Sequence, residues 1–173
     1  MPGIKFVGSG GQGVILAGLI LGKAAAIYEG LETVFTESYG AETRGGFSSS
    51  SVIISDKKIE YPYVINPDIL VAFSQAGYDA VSSTMKDDTF LIYESDLVKP
   101  SFNGRKEGIP ATKISKDNFN NKTIFVNMIM LGFLVKNTNV VSKDSLIKAV
   151  EESVPKGTER DNIYAVELGY NFK

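Results

Sequence analysis

The 173-residue chain contains neither cysteine nor histidine. Without cysteine it cannot ligate an iron–sulfur cluster through thiolates, and it cannot form a disulfide. The usual ligands of a structural zinc site are missing as well. Ser–His, Cys–His and other histidine-dependent acid–base mechanisms are excluded. Any reaction performed by this chain would have to use other side chains.

Basic stretches and long apolar runs are also lacking. The formal net charge is −2, so nothing suggests binding to nucleic acid or to a membrane surface. The longest apolar segment, 14–28, is interrupted by Lys23 and is shorter than the ~20 residues that span a bilayer. Residues 1–13 do not resemble a signal peptide. We therefore expect a cytoplasmic protein that forms a single domain over residues 1–173.

Short apolar strands alternate with helical segments along the chain. Strands are predicted at 4–7, 69–73 and 89–93, because each is short, apolar and bounded by turn residues. Ser74 and Ser142 are suitable N-caps for the helices that follow them. The predicted helices cover residues 13–28, 75–85, 125–135, 143–154 and 161–168. This alternation predicts an α/β fold, with a mainly parallel sheet flanked by helices.

Two stretches depart from that alternation. The strand predicted at 33–36 is followed by a glycine-rich loop instead of a helix. The strand predicted at 52–55 leads through a turn into 59–61, which we expect to pair back as a short antiparallel hairpin insertion. Residues 100–110 hold two glycines and two prolines and are predicted to form a surface loop.

The sequence GSGGQG at 8–13 joins the first strand to the first helix. Gly8, Gly10 and Gly13 satisfy the G-x-G-x-x-G pattern of a phosphate-binding turn at a helix N-terminus. Glu37 lies 24 positions after Gly13, near where a dinucleotide-binding fold places its ribose-binding acid. NAD or FAD binding, another phosphate-bearing ligand and a tight turn without a ligand all fit this pattern. The loop that follows Glu37 counts against NAD.

The second glycine-rich loop contains Tyr39, Glu42 and Arg44, with Gly45 and Gly46 directly after the arginine. Arg44 can clamp a carboxylate or phosphate with two hydrogen bonds. It can equally dock onto a partner protein or lie solvated on the surface.

Two further features have alternative explanations. Glu94 and Asp96 follow a predicted strand, where ligands of α/β proteins often bind, but this pair is too weak a signal for acid–base chemistry. The helices at 13–28 and 125–135 are apolar almost all round. Such helices are covered on several sides, either by a core or by partner subunits.

Three segments together resemble a known family: VGSGGQGVILAGLILGKAA, ESYGAETRGGFSSSSVIIS and YPYVINPDILVAFSQ. They resemble the gamma subunit of the 2-oxoacid:ferredoxin oxidoreductases, most closely that of the 2-oxoglutarate branch. The resemblance covers roughly residues 4–170. The co-occurrence of both glycine-rich loops in this order is far more specific than one G-x-G-x-x-G pattern.

The resemblance implies a subunit of an oxidoreductase that is not catalytically self-sufficient. Such complexes use coenzyme A to decarboxylate a 2-oxoacid oxidatively, giving an acyl-CoA, carbon dioxide and electrons for ferredoxin or flavodoxin. Here the product would be succinyl-CoA, with pyruvate, branched-chain and indolepyruvate enzymes as neighbouring alternatives. Thiamine diphosphate and iron–sulfur clusters would lie in alpha-type and beta-type partners, or in a delta-type partner where one exists. A stand-alone NAD- or FAD-binding module is the competing hypothesis.

The resemblance also implies a site. Gly8, Ser9, Gly10, Gly11, Gln12 and Gly13 would form a turn facing the pyrophosphate of coenzyme A. Arg44 would either assist that charge or hold the interface of the complex. No catalytic residue and no metal ligand is expected in this chain.

Overall fold

The computed structural model describes residues 1–41 and 45–173. The strands are β1 (Gly3–Ser9), β2 (Glu32–Tyr39), β3 (Phe47–Ser55), β4 (Ile69–Ala72), β5 (Phe90–Glu94) and β6 (Lys106–Ile109). The helices are α1 (Val14–Lys23), α2 (Gln75–Val81), α3 (Ala111–Asn118), α4 (Val126–Thr138), α5 (Lys143–Ser153) and α6 (Glu159–Tyr170). A π-helical turn, Ala24–Tyr28, extends α1. No helix within these ranges is both long enough and apolar enough to cross a membrane.

Six strands of the described residues form one sheet in the order β2-β3-β1-β4-β5-β6. β1, β4, β5 and β6 pair in parallel, whereas β3 is antiparallel to both β1 and β2. Five strands therefore run in one direction and β3 runs against them. This confirms the mainly parallel α/β sheet with an antiparallel element.

The antiparallel element lies elsewhere than predicted. β2 and β3 form the hairpin, with Glu32 opposite Ser55 and Tyr39 opposite Ser48. The predicted pairing of residues 59–61 is wrong, because that stretch is irregular. Pro62 has no N–H to offer a ladder, and the chain around it is well exposed.

The predicted loop at 100–110 contains a strand. β6 pairs in parallel with β5, from Lys106 opposite Leu91 to Ile109 opposite Glu94. Only Ile109 of this strand is buried, so it carries no apolar run that would reveal it. β6 is the edge of the sheet, where polar residues are common.

The two faces of the sheet carry separate cores. Ile4 and Phe6 of β1 lie on the face covered by α1, in the larger core that also contains the buried residues of α4. Val7 and Leu70 lie on the opposite face, against Tyr78 of α2 in a smaller core. α1, which follows β1, and α2, which follows the neighbouring strand β4, therefore lie on opposite faces of the sheet.

The two apolar helices have different explanations. Residues 126–135 of α4 are all buried, packed among α3, α5, α6, α1 and β5 of this same chain. A covered core thus accounts for α4 without a partner. The core of this chain does not fully cover α1 and the π-helical turn after it, since Leu19 is 46% exposed and Ile27 is 63% exposed.

α4 and α6 touch backbone to backbone. A Cβ added at Gly132 would overlap the carbonyl oxygen of Val166, and one added at Gly169 would overlap that of Ile129. These two glycines let the helices approach to within backbone contact. Gly22 of α1 is different, because its nearest neighbour is a side-chain carbon of Thr33, 3.6 Å from an added Cβ.

Two acidic side chains cap α3. The N-cap residue of α3, Pro110, accepts no capping hydrogen bond with its side chain. Instead Glu94 Oε1 accepts a hydrogen bond from Thr112 N at 3.1 Å, and Asp96 Oδ2 accepts one from Lys113 N at 2.9 Å. Glu94 is fully buried, and its Oε2 has no hydrogen-bond partner within the described residues. Burial raises the pKa of Glu94, with a further contribution from the nearby charge of Asp96.

Gly132→Ala should destabilise the protein by about 1–3 kcal/mol, because overpacking outweighs the better helix propensity of alanine. Gly22→Ala is the matched control, and it should be neutral or stabilising by up to about 1 kcal/mol. Urea unfolding followed by circular dichroism measures both. Equal stability of the two variants would contradict backbone contact between α4 and α6.

Glu94→Gln should stabilise the protein increasingly as the pH rises. Since the folded-state pKa is raised above its unfolded value, the unfolded state loses its proton first, and wild-type stability falls as the pH rises between those two pKa values. Glutamine keeps the acceptor for Thr112 and removes the charge. Unfolding free energies measured from pH 4 to pH 8, with the exposed Glu107→Gln as control, should diverge with pH only for Glu94→Gln. A pH-independent difference would refute this.

Candidate functional site

The end of β1 and the turn that leads into α1 together hold six of the seven predicted site residues, Gly8 to Gly13. Gly11 has φ 89° and Gly13 has φ 74°, a left-handed conformation that favours glycine. Gln12 N donates to Ser9 O at 3.2 Å and closes the turn. α1 then begins at Val14. The local sequence thus produces the strand–turn–helix unit that an anion-binding turn requires.

The side chain of Gln12 braces this turn. Its Oε1 accepts a hydrogen bond from Ser9 N at 2.7 Å, and its Nε2 donates to Phe73 O at 3.2 Å. Phe73 directly follows β4, so Gln12 ties the turn to the end of the neighbouring strand. The two ends of its amide are both engaged within the chain.

The second glycine-rich loop packs against the first. Gly10 N donates to Gly46 O at 2.8 Å, and an added Cβ at Gly10 would lie 3.4 Å from Gly45 N. The two motifs, more than thirty residues apart in sequence, therefore meet at the carboxyl end of β1. Arg44, the seventh predicted site residue, lies outside the described residues, as do Glu42 and Thr43.

Helix α1 begins without a side-chain cap. Gly13 is its N-cap residue, and within the described chain no side chain accepts a hydrogen bond there. Unpaired N–H groups and the helix dipole make such an end favourable for an anion. Asn127 of α4 lies behind it, donating from Nδ2 to Gly13 O at 3.4 Å, and an added Cβ at Gly13 would overlap that side chain.

α2 begins beside this turn, on the other face of the sheet. Ser74 caps it as predicted, with Oγ accepting from Gly77 N at 3.1 Å. Ser9 Oγ lies 3.3 Å from Ser74 Oγ, which links the two strand ends. Neighbouring parallel strands whose helices leave on opposite faces form a topological switch point, where open α/β sheets bind ligands.

Sequence reasoning missed three contributors to this site. Phe73 supplies a carbonyl to Gln12, Asn127 supports Gly13, and Gly77 packs on Gly8. No local signal could identify these residues, because each one acts on a segment far away in sequence.

The position of Glu37 argues against dinucleotide binding. In a dinucleotide-binding fold the second strand lies directly beside the first, which brings its terminal acid to the ribose. Here β3 lies between β1 and β2, so Glu37 is two strand spacings, about 10 Å, from β1. Glu37 is also exposed. The G-x-G-x-x-G pattern is present, but Glu37 does not lie where a dinucleotide-binding fold places its ribose-binding acid.

The turn from Gly8 to Gly13 offers hydrogen-bond donors but no side chain suited to proton transfer. No residue from Gly8 to Gly13 is ionisable. Among the described residues, no group of three or more acidic or metal-ligating side chains could hold a metal ion. Backbone amides, one hydroxyl and a helix end can hold an anion, but they supply neither acid nor base.

Comparison with known sequences is consistent with this geometry. The profile of the pyruvate ferredoxin/flavodoxin oxidoreductase family matches residues 3–172. The 2-oxoglutarate synthase subunit KorC of Methanocaldococcus jannaschii is 47% identical over 171 residues, covering 96% of this chain and 91% of that subunit. The pyruvate synthase subunit PorC of Methanothermobacter marburgensis is 34% identical over 170 residues, covering 96% and 94%.

Solved structures share the fold. The gamma subunit of a keto/oxoacid ferredoxin oxidoreductase from Geobacter sulfurreducens has a TM-score of 0.85 and 38% identity, covering 98% of this chain and 96% of that one. The 2-oxoglutarate:ferredoxin oxidoreductase from Magnetococcus marinus has a TM-score of 0.86 at 22% identity, and its match covers 99% of this chain but 31% of that longer one. The resemblance seen in the sequence is confirmed: the chain belongs to the pyruvate ferredoxin/flavodoxin oxidoreductase family.

Proposed function

We propose that this chain is the gamma subunit of a 2-oxoglutarate:ferredoxin oxidoreductase. In that role it supports the coenzyme A-dependent oxidative decarboxylation of 2-oxoglutarate to succinyl-CoA and carbon dioxide, with electrons passed to an iron–sulfur protein. The observation that carries the proposal is the meeting of two glycine-rich loops at an uncapped helix end with no ionisable residue from Gly8 to Gly13. Such a site binds an anionic cosubstrate and leaves the chemistry to partner subunits.

The choice of 2-oxoglutarate rests on the relatives. Three KorC subunits of 2-oxoglutarate synthases are 42% to 47% identical over 96% of the chain, and a fourth is 34% identical. Two PorC subunits of pyruvate synthases are 34% and 32% identical. A ketoisovalerate oxidoreductase subunit, VorA, is 37% identical over only 76% of the chain. These values favour 2-oxoglutarate over pyruvate and branched-chain 2-oxoacids.

Coenzyme A is the ligand that suits the turn between β1 and α1. Its pyrophosphate would lie at Gly11 and the first amides of α1, where the helix dipole is positive. Among residues 1–41 and 45–173, no atom lies within 4 Å of an added Cβ at Gly11, so none of these residues fills this side of the turn. Ser9 would offer its hydroxyl, while Gly8, Gly10 and Gln12 hold the shape of the turn. Arg44 assists this charge or contacts a partner subunit.

The surface beside α1 fits a subunit of a larger complex. Leu19, Ala26 and Ile27 line an apolar cavity of about 550 Å³ together with Phe35 of β2. Apolar patches of this kind on a protein surface mark contacts with other proteins. We assign this cavity to the interface with alpha-type or beta-type partners, which would carry the thiamine diphosphate and the iron–sulfur clusters. The cytoplasmic location expected from the sequence stays a prediction.

The stand-alone NAD- or FAD-binding module has less support, because β3 separates Glu37 from β1. Titration of the full chain with NAD and with coenzyme A separates the two hypotheses. Saturable NAD binding that weakens on Glu37→Ala would favour the module.

Gly11→Ala should weaken coenzyme A binding at least tenfold. A methyl group at Gly11 would project into the space assigned to the pyrophosphate. It should also cost about 1–2 kcal/mol of stability, because an L-residue is strained at this φ. The KM for coenzyme A in the assembled oxidoreductase measures the first effect, and urea unfolding measures the second.

Gly157→Ala is the matched control. Gly157 has φ 90° and no atom of the described chain within 4 Å of an added Cβ, but it lies in the turn before α6. It should show the same loss of stability with an unchanged KM for coenzyme A. Equal KM values for the two variants would refute the assignment of coenzyme A to the turn. A chain that never co-purifies with larger subunits would refute the proposed function itself.

A further inference from the structure

Lys5 lies in the middle of β1, on the face of the sheet opposite α1. Its neighbours Ile4 and Phe6 point into the main core, so Lys5 points away from it, as alternation along a strand requires. In the register of the sheet Lys5 lies opposite Ser51 of β3, and Ser51 lies opposite Thr36 of β2. A lysine, a serine and a threonine therefore form a row across three strands.

The row formed by Lys5, Ser51 and Thr36 lies next to the part of this sheet face that α2 covers. α2 packs mainly on β1, with less contact to β3 and β4. The irregular segment 56–68 borders the row, because Val64 lies 3.2 Å from an added Cβ at Gly3 on the same face as Lys5. The result is a pocket of about 320 Å³, at the lower end of the range for small-molecule sites. It is lined by Lys5, Thr36, Glu37, Ser38, Ser49, Ser51, Tyr63 and Val64.

The pocket is rich in donors. Ser49 is 5% exposed and Ser51 is 8% exposed, so both are buried in the sheet while still lining the pocket. Serine and threonine hydroxyls at such positions can donate to a ligand oxygen. In a sheet face meant only for packing, apolar side chains would be expected at these positions.

Lys5 has no ion-pair partner among the described residues, where the salt bridges join Lys23 to Glu152, Lys113 to Asp117 and Lys143 to Glu167. Burial lowers the pKa of Lys5, which is the response of an ammonium group removed from water without a counter-ion.

Glu37 lines the pocket, but it is exposed. By alternation along β2 its side chain lies on the same face of the sheet as Phe35, which packs beneath Gly18 of α1, and this is the face opposite Lys5. It therefore does not supply the missing negative charge. A partly buried cation surrounded by hydroxyl donors is completed by an anion.

We propose that this pocket binds a small anion through its carboxylate or phosphate group, held by the Lys5 ammonium and by the hydroxyls of Thr36 and Ser51. The site is separate from the turn between β1 and α1, because Lys5 precedes Gly8 by three residues, about 10 Å along the strand. It goes beyond the proposed function and does not depend on it.

Calorimetric titration of the full chain with inorganic phosphate at low ionic strength tests the proposal, since salt screens such contacts. Lys5→Met keeps the length of the side chain without its charge, and it should weaken binding at least tenfold. Lys156→Met, which removes the same charge from an exposed position before α6, should change binding less than twofold. Equal effects of the two variants, or no saturable binding to the wild type, would overturn the proposal.

Amide chemical shifts of the wild-type chain provide a measurement that does not depend on the folding of a variant. Added phosphate should shift the amides of Lys5, Thr36 and Ser51, and Gly11→Ala should retain these shifts. A parallel titration with 2-oxoglutarate tells whether a carboxylate or a phosphate group is preferred. Shifts confined to residues 8–13 would place the anion at the other site and refute the proposal, while leaving the proposed function intact.

Discussion

The backbone contact between Gly8 and Gly77 sets the geometry of the sheet at the carboxyl ends of β1 and β4, where the candidate site lies. A Cβ at Gly77 would lie 2.7 Å from Gly8 N, so α2 rests directly on the end of β1. This contact lets α1 and α2 leave opposite faces of two adjacent strands with their first turns close together. Gln12 and Ser9 then join the two strand ends by hydrogen bonds. Any side chain at Gly77 would separate α2 from the end of β1 and change how the two strand ends meet.

The parts of the fold that depend on local sequence were predictable. β1, α1 and α4 are apolar runs with clear boundaries, and Ser74 and Ser142 cap α2 and α5 as their sequence context indicates. The order of the strands was not predictable, because the insertion of β3 between β1 and β2 is decided by pairing between distant segments. β6 escaped notice because its exposed residues carry no periodic signal. The predicted pairing at 59–61 was wrong because Pro62, directly after this stretch, has no N–H to donate to a ladder.

The candidate site shows the same division. The glycine spacing correctly predicted a strand-to-helix turn at the start of α1, and the structure adds that Gly11 and Gly13 have positive φ there. The use of the Gln12 side chain was hidden, since its acceptor at Phe73 lies 61 positions away. Glu94 and Asp96 illustrate the opposite case, because carboxylates at a strand end suggested a ligand site. They satisfy backbone amides of α3 instead, a structural role that a sequence cannot separate from a catalytic one.

The central place of β1 has a consequence for how the protein folds. β1 precedes the other five strands of the described chain, yet its parallel partner β4 begins only at Ile69, opposite Ile4. Pairings between distant segments form slowly, and unpaired strand edges are prone to aggregation until they close. One edge of β1 therefore stays open until β3 has been synthesised, and the other edge stays open until β4 has followed it. A chaperone that shields the open edges of β1 would therefore help this protein most before β4 has been synthesised.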